Sequence, residues 1–132
     1  FGDHYKSSDE ANTAGWLRDL FVREEGDTLL VGQAVPREWL RPGQTCGLER
    51  TGTYFGPASV VYTAGDHEIT AKLEAPCRNS PKTIRLRFRE SGGRLPSSIQ
   101  VNGKRWRQFK GEWVQLPGDV GAATVVARYS GK

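Results

Sequence analysis

The chain has 132 residues, of which 36% are hydrophobic and 26% are charged, and its formal net charge is +4. This composition is typical of a single globular domain with its own core and excludes an intrinsically disordered chain. No stretch approaches the roughly 20 apolar residues of a transmembrane helix, so we expect no contact with the membrane interior. The 15 acidic residues are interspersed with 19 basic ones, which disfavours a nucleic-acid-binding domain.

The start of the chain predicts a piece of a larger protein. The sequence contains no Met, begins at Phe1 and has no signal peptide. Residues 1–8 are polar and aperiodic, which predicts a linker or a disordered end. We therefore expect one folded domain over residues 9–132, with any targeting signal on the missing part.

The first predicted element is a short N-terminal helix. Ser8 or Asp9 can cap it, and Trp16, Leu17 and the pair at 20–21 form an apolar stripe at helical spacing. Residues 24–27 are predicted to end the helix, because Gly26 is the residue type usually found just past a helix C-terminus.

Short strands are predicted along the rest of the chain. They cover residues 28–33, 45–50, 59–63, 69–75, 83–90, 99–101, 104–109, 113–116 and 124–129, with a single helical turn at 36–40. Asn102-Gly103 predicts a tight hairpin of type I′. The predicted fold class is mostly β, an antiparallel β-sandwich with one short N-terminal helix.

Residues 83–89 give the clearest strand signal. Apolar residues alternate strictly with Arg85, Arg87 and Arg89, so one face enters a core and the other carries a row of guanidinium groups. Two interpretations of this row remain open. Carboxylates on neighbouring strands can neutralise it, the candidates being Glu68, Glu74 and Glu112. Alternatively, the row binds an acidic ligand such as a uronate or a sulfated glycan.

Signals for catalysis and cofactors are missing. The two histidines, His4 and His67, stand in no metal-binding or catalytic motif, and no phosphate-binding glycine loop is present. We expect no enzymatic activity and no cofactor. A structural Ca²⁺ is not indicated, since backbone carbonyl ligands leave no sequence signature.

Outward-facing aromatic residues are the candidate ligand contacts, because sugars stack on such rings. In 113–116 the apolar residues alternate so that Trp113 and Gln115 face outwards. By the same alternation Trp106 faces the core, since its neighbours are arginines. Trp39 and Tyr54 are secondary candidates, each with packing against the core as the alternative.

Cys46 and Cys77 are one candidate disulfide pair, and two unrelated buried thiols are the alternative.

Several segments resemble a known domain. They are GDTLLVGQAVPREWL at 26–40, TYFGPAS at 53–59, PCRNSP at 76–81, LRFR at 86–89 and SIQVNGKRW at 98–106. Together they resemble the C-terminal β-sandwich domain that follows the (α/α)6-barrel catalytic domain of large bacterial glycosidase-like proteins. The resemblance extends from about residue 15 to 129 and implies an extracellular or periplasmic setting in which polysaccharide is degraded. It implies no particular ligand-binding residues.

The sequence therefore predicts a non-catalytic carbohydrate-binding module attached to a polysaccharide-degrading enzyme. The expected partners are a polysaccharide or oligosaccharide, acidic if the arginine row takes part, and the parent catalytic domain in cis. Contacts are expected from Trp113, Tyr54 or Trp39, Gln115 and the arginines at 85, 87 and 89. The alternative is a purely structural domain that docks on its parent catalytic domain.

Overall fold

Eleven strands form the framework of the part of the chain that the structure describes. The structure, a computed structural model, describes residues 20–53, 55–76 and 79–130. The strands are β1 (Val22–Glu25), β2 (Thr28–Val31), β3 (Thr45–Thr51), β4 (Ala58–Ala64), β5 (Glu68–Glu74), β6 (Thr83–Arg87), β7 (Ser98–Val101), β8 (Lys104–Trp106), β9 (Phe109–Lys110), β10 (Trp113–Pro117) and β11 (Ala122–Arg128).

The strands are arranged in two sheets. Sheet A has the order β1-β2-β6-β10-β9, and sheet B has the order β3-β4-β5-β11-β7-β8. The predicted mostly-β sandwich is confirmed. The pairing is antiparallel with one exception among the described strands, because β2 runs parallel to β6. Three successive residues of β2 are buried, as is usual for parallel strands covered on both faces: Leu29, Leu30 and Val31.

Helical structure is sparse. A 3₁₀ helix (Arg37–Leu40) follows Pro36, which confirms the predicted turn at 36–40. Within the described residues, no helix has the length and hydrophobicity needed to cross a membrane.

The core lies between the two sheets and follows the predicted alternation. Ile84, Leu86 and Phe88 from the β6 segment are 0% exposed, while Arg85 between them is exposed. Full burial of one such apolar side chain contributes about 1.5–3 kcal/mol. The buried side chains of sheet B complete the same cluster, among them Val60, Tyr62, Ile69, Ala71, Leu73, Val125 and Ala127.

Tyr62 links the two sheets through a hydrogen bond and an aromatic contact. Its hydroxyl donates to the backbone carbonyl of Arg87 at 2.8 Å, and its ring meets Phe88 edge to face with centroids 5.8 Å apart. Burial raises the pKa of the Tyr62 hydroxyl well above its usual value, so this group remains a donor. The backbone of the arginine-bearing strand is thus fixed from the opposite sheet.

The predicted hairpin at Asn102-Gly103 is confirmed. β7 pairs with β8 and brings Val101 opposite Lys104. Asn102 and Gly103 both have positive φ, 52° and 82°, as a type I′ turn requires. Asn102 also accepts a hydrogen bond through Oδ1 from the Thr124 amide at 2.8 Å, which ties the turn to β11.

The prediction that residues 24–27 end a helix was wrong. Trp16 and Leu17 lie outside the described residues, so the predicted helix is not shown. Its predicted end is instead strand β1 followed by a hairpin turn, since Glu25 pairs with Thr28 across Gly26 and its neighbour. Gly26 has a φ of 62°, and positive φ serves a hairpin turn as well as a helix end.

The strand predicted over 104–109 is interrupted. β8 belongs to sheet B, whereas β9 belongs to sheet A. The chain therefore crosses from one sheet to the other at Arg107 and Gln108, and this crossing forms one side of the candidate site.

Candidate ligand-binding groove on sheet A

The outer face of sheet A is organised by the pairing of β6 with β10. The register places Trp113 opposite Arg87 and Gln115 opposite Arg85, and directly opposed residues share one face of a sheet. The intervening residues are buried in the core, namely Ile84, Leu86, Val114 and Leu116. Trp113 and Gln115 thus lie on the outer face with the arginine row, as the alternation predicted.

Trp113 is half-buried under two guanidinium groups. The guanidinium carbon of Arg85 lies 4.8 Å from the centre of the indole ring, and that of Arg87 lies 5.2 Å from it. Both distances are within the range of cation–π attraction. The side chain of Arg85 is exposed, and its guanidinium group makes no hydrogen bond or ion pair with any described residue. The indole of Trp113 therefore lies beside a guanidinium group that no hydrogen bond or ion pair to the described residues holds in place.

The crossing segment closes a groove beside Trp113. The Gln115 amide donates to the Gln108 carbonyl at 2.8 Å, and Trp113 pairs with Lys110. The groove has a volume of about 210 Å³, and it is lined by Arg85, Arg107, Gln108, Phe109, Lys110, Trp113 and Gln115. We call these seven residues the Trp113 groove. Its lining includes cations, amides and aromatic rings but no carboxylate.

Four of the lining residues were not predicted from the sequence, those at 107–110. The available signal was the basic segment KRWRQFK at 104–110, of which residues 104–109 were interpreted as one continuous strand. Trp106 faces the core as predicted, because it lies opposite the buried Ile99. Its Nε1 donates to the Gln115 carbonyl at 3.0 Å and holds the crossing segment against β10.

The arginine row continues beyond Trp113 into a second group of charged residues. Arg37, Arg87 and Arg89 surround Glu112 and the backbone of Gln33, and we call these five residues the arginine cluster. Glu112 accepts hydrogen bonds from Arg37 Nη1 at 2.7 Å and from Arg87 Nε at 3.0 Å. The Gln33 carbonyl accepts from Arg87 Nη1 at 3.0 Å and from Arg89 Nη1 at 3.5 Å.

The pKa values in the arginine cluster follow from burial and pairing. Burial alone would raise the pKa of the Glu112 carboxyl, but the hydrogen bonds from Arg37 and Arg87 outweigh it and the pKa falls below its usual value. Burial, followed by repulsion from Arg87 and Arg37, lowers the pKa of Arg89. Arg89 is therefore the guanidinium with the least compensation in the cluster.

Cross-strand neutralisation of the row is only partly realised. Of the three candidate carboxylates, Glu112 pairs with Arg87, from the turn before β10 rather than from a strand. Glu68 lies in sheet B and pairs with Arg128 at 2.8 Å. Glu74 lies in the same strand of sheet B. Arg87 is therefore paired as the first interpretation expected, and Arg85 has no carboxylate partner among the described residues. Binding of an acidic ligand by the row stays a prediction.

The other predicted ligand contacts are not brought to this groove. Trp39 packs on the core with its ring 6.2 Å from that of Phe21, and it does not line the Trp113 groove. Tyr54 lies outside the described residues, while its neighbour Phe55 is buried. Cys46 is buried and Cys77 lies outside the described residues, so their disulfide stays a prediction.

Sheet B carries a larger but chemically different groove. Its volume is about 600 Å³, and it is lined by Thr45, Glu49, Arg50, Ser59, Val61, Thr63, Lys72 and Glu74. Acidic and basic residues are balanced in this lining, and none of its residues is aromatic. The smaller groove on sheet A is the stronger candidate, because a ring and amides converge there with uncompensated cations.

Metal-ligand clusters are not found in the described part of the chain, where no group of three or more His, Cys, Asp or Glu side chains converges. The two buried acids there, Glu90 and Glu112, are each held by arginines.

No model of a known protein family matches this chain, and no curated protein sequence matches it significantly.

Proposed function

We propose that this domain is a non-catalytic carbohydrate-binding module that serves a polysaccharide-degrading enzyme. The observation that carries the proposal is the meeting of Trp113, Gln115 and Arg85 on one outer face, in a groove of about 210 Å³. Ligand sites of this kind combine an apolar surface with a few fixed polar groups that orient the ligand.

The lining residues suggest how a sugar is held. The side chains of Gln108 and Gln115 offer amide donors and acceptors to hydroxyl groups. Arg85 has no hydrogen bond to give up among the described residues, so its guanidinium moves aside at little cost and uncovers the indole of Trp113. One ring and a few exchanged hydrogen bonds leave a small net free energy, and we expect weak affinity.

The biological setting follows from the resemblance of segments 26–40 and 98–106 to a domain that follows an (α/α)6-barrel. In this proposal the parent catalytic domain lies on the same polypeptide, and the protein acts outside the cytoplasm of a bacterium. The module would keep the enzyme close to its polymeric substrate, which raises the effective concentration of cleavable bonds.

Affinity electrophoresis through gels that contain different polysaccharides tests the proposal. The wild-type domain should be retarded by at least one glycan, and Trp113→Ala should abolish the retardation with little change in melting temperature. Leu95→Ala is the matched control, because Leu95 is an apolar side chain that is 59% exposed outside the groove.

The outcome also separates this proposal from a structural role. Retardation that is identical in the wild type and Trp113→Ala contradicts the groove as the binding site. If no glycan retards the domain, the proposed function is wrong, and a domain that only docks on its parent enzyme is the better explanation.

A further inference from the structure

Positive charge is present on both sides of Trp113. On one side the groove presents Arg85, Arg107 and Lys110, all exposed. No carboxylate lines this groove, and Arg85 forms no ion pair with the described residues. A neutral ligand would leave this charge without a partner.

On the other side lies the arginine cluster, where guanidinium groups outnumber carboxylates. Arg37 and Arg87 share the single carboxylate of Glu112. The nearby carboxylate of Glu90 is taken by Arg94, through contacts to Arg94 Nε at 3.1 Å and Nη2 at 3.0 Å. Positive charge is therefore left over at Arg89.

Arg89 is poorly satisfied by its surroundings. Its one hydrogen bond to the described residues is the long contact of 3.5 Å from Nη1 to the Gln33 carbonyl. Its Nε is buried without a hydrogen-bond partner in the described part of the chain, and the same is true of Gln33 Oε1. A buried donor left unpaired costs free energy. Arg89 also forms no ion pair with the described residues, and an anion beside its Nη atoms would supply both the opposite charge and hydrogen-bond acceptors.

We propose that the natural ligand is an acidic glycan with negative charges on both sides of Trp113, one held by Arg85, Arg107 and Lys110 and the other by Arg89. This inference rests on the proposed function and adds to it a ligand class and a second subsite. Uronate and sulfate groups both supply the planar or clustered oxygen atoms that guanidinium groups bind through paired hydrogen bonds.

The spacing of the arginines requires a ligand longer than one sugar. Arg85 and Arg89 are four residues apart on the same face, on the order of 13 Å along an extended backbone. A single ring cannot contact both. A chain with acidic groups on successive residues can contact both while one ring lies at Trp113.

A single-stranded nucleic acid has the same charge but needs different contacts. Proteins that bind it without sequence preference stack successive bases on several aromatic rings. Of the two aromatic residues that line the groove, Phe109 packs against the core, which leaves Trp113 as the stacking ring on the described part of this face. The acidic glycan therefore fits the face better.

The test compares two polymers that share one backbone, polygalacturonate and its fully methyl-esterified form. Binding is measured at about 20 mM and about 500 mM NaCl, because charge interactions are screened weakly at the lower concentration and strongly at the higher one. Dextran sulfate against dextran repeats the comparison for sulfate. Variants are Arg89→Gln, Arg107→Gln and the matched control Arg105→Gln, whose side chain lies opposite Gln100 in sheet B. Arg89→Lys, which keeps the charge, is included in case Arg89→Gln unfolds.

The wild type should bind an acidic polymer about tenfold or more tightly than its neutral counterpart at low salt. Arg89→Gln and Arg107→Gln should each weaken acidic-polymer binding about tenfold and lower the slope of log K against log salt by about one. Arg89→Lys should show an intermediate loss, and Arg105→Gln none.

Each failure points to a different error. If neutral and acidic polymers bind equally and Trp113→Ala abolishes both, the proposed function stands and the acidic ligand class is wrong. If acidic polymers bind but neither Arg89 variant changes their affinity, the second subsite is wrong. If no glycan binds, the proposed function fails as well. If single-stranded oligonucleotides bind more tightly than every glycan, the ligand class is also wrong.

Discussion

Arg87 donates a hydrogen bond from Nε to Oε1 of Glu112 at 3.0 Å, and this ion pair lies next to the candidate site. The same guanidinium group lies 5.2 Å from the centre of the Trp113 ring. Because Glu112 also holds Arg37, one carboxylate fixes a strand residue and a 3₁₀-helix residue together. These contacts hold Arg87 in place beside the Trp113 ring.

Replacing Glu112 with Gln should destabilise the domain by about 2–3 kcal/mol, because two guanidinium groups lose their shared counter-ion at a site where the carboxylate is only 9% exposed. Chemical denaturation measures the change. Glu68→Gln is the matched control, because the side chains of Glu68 and of its partner Arg128 are both largely exposed. The free energy of unfolding of this variant should fall by no more than about 0.5 kcal/mol. Equal losses in the two variants would contradict the account.

Acid should unfold the domain through the same carboxylates. Burial opposes ionisation of Glu90 and Glu112, but arginine contacts outweigh it and hold both pKa values below the usual range. Carboxyls with a lowered native pKa stabilise the fold above their unfolded pKa of about 4.3, and this stability is lost as pH falls through the native values. Denaturation curves between pH 7 and 2.5 should show falling stability below about pH 4.3. Glu112→Gln should flatten this fall, and an unchanged pH profile in the variant would refute the assignment.

Gly32→Ala should be strongly destabilising. Gly32 has a φ of 74°, and a Cβ atom there would overlap the Tyr62 hydroxyl and come within 2.8 Å of the Arg87 carbonyl. The substitution would break the hydrogen bond that joins the two sheets. Gly26→Ala is the control, because Gly26 has a φ of 62° and a Cβ atom added there would have no other atom within 4 Å. We expect about 1 kcal/mol for Gly26→Ala and at least about 3 kcal/mol for Gly32→Ala, measured by urea denaturation.

Arg85→Gln should separate stability from binding. Arg85 is exposed, and its guanidinium group interacts with the Trp113 ring but makes no hydrogen bond or ion pair with the described residues, so its loss should cost less than about 1 kcal/mol of folding stability. Binding of an acidic glycan should nevertheless weaken about tenfold, because the variant lacks a charged contact in the groove. A titration and a thermal melt on one sample give both values. Unchanged affinity would remove Arg85 from the site.

The alternation of side chains made much of the fold predictable. It located the strand at 83–87, which was predicted to extend to residue 90, and the outward position of Trp113, and the turn chemistry of Asn102-Gly103 located a hairpin. The strand at 22–25 was missed because glycine with positive φ ends helices and forms hairpin turns alike, so Gly26 supports both interpretations. Local pattern alone does not distinguish them.

Contacts between distant segments were not predictable from local pattern. The parallel pairing of β2 with β6 had one signal, the uninterrupted apolar run at 29–31, which marks a strand buried on both faces. The crossing at Arg107 and Gln108 breaks the alternation, because Trp106 and Phe109 both pack against the core although they are three residues apart, but the segment was interpreted as one strand. For this reason the groove side formed by residues 107–110 was missed, although its partner Trp113 was found.

The most direct test of the account is a titration of the ¹⁵N-labelled domain with an acidic oligosaccharide, followed by two-dimensional NMR. We predict progressive shifts of the Trp113 indole N–H, of Gln115 and Gln108, and of the side-chain Nε–H of Arg89, with the groove on sheet B unaffected. Shifts confined to Ser59, Thr63 and Lys72 of that groove, or no shifts with any glycan, would contradict the claim that the outer face of sheet A binds carbohydrate.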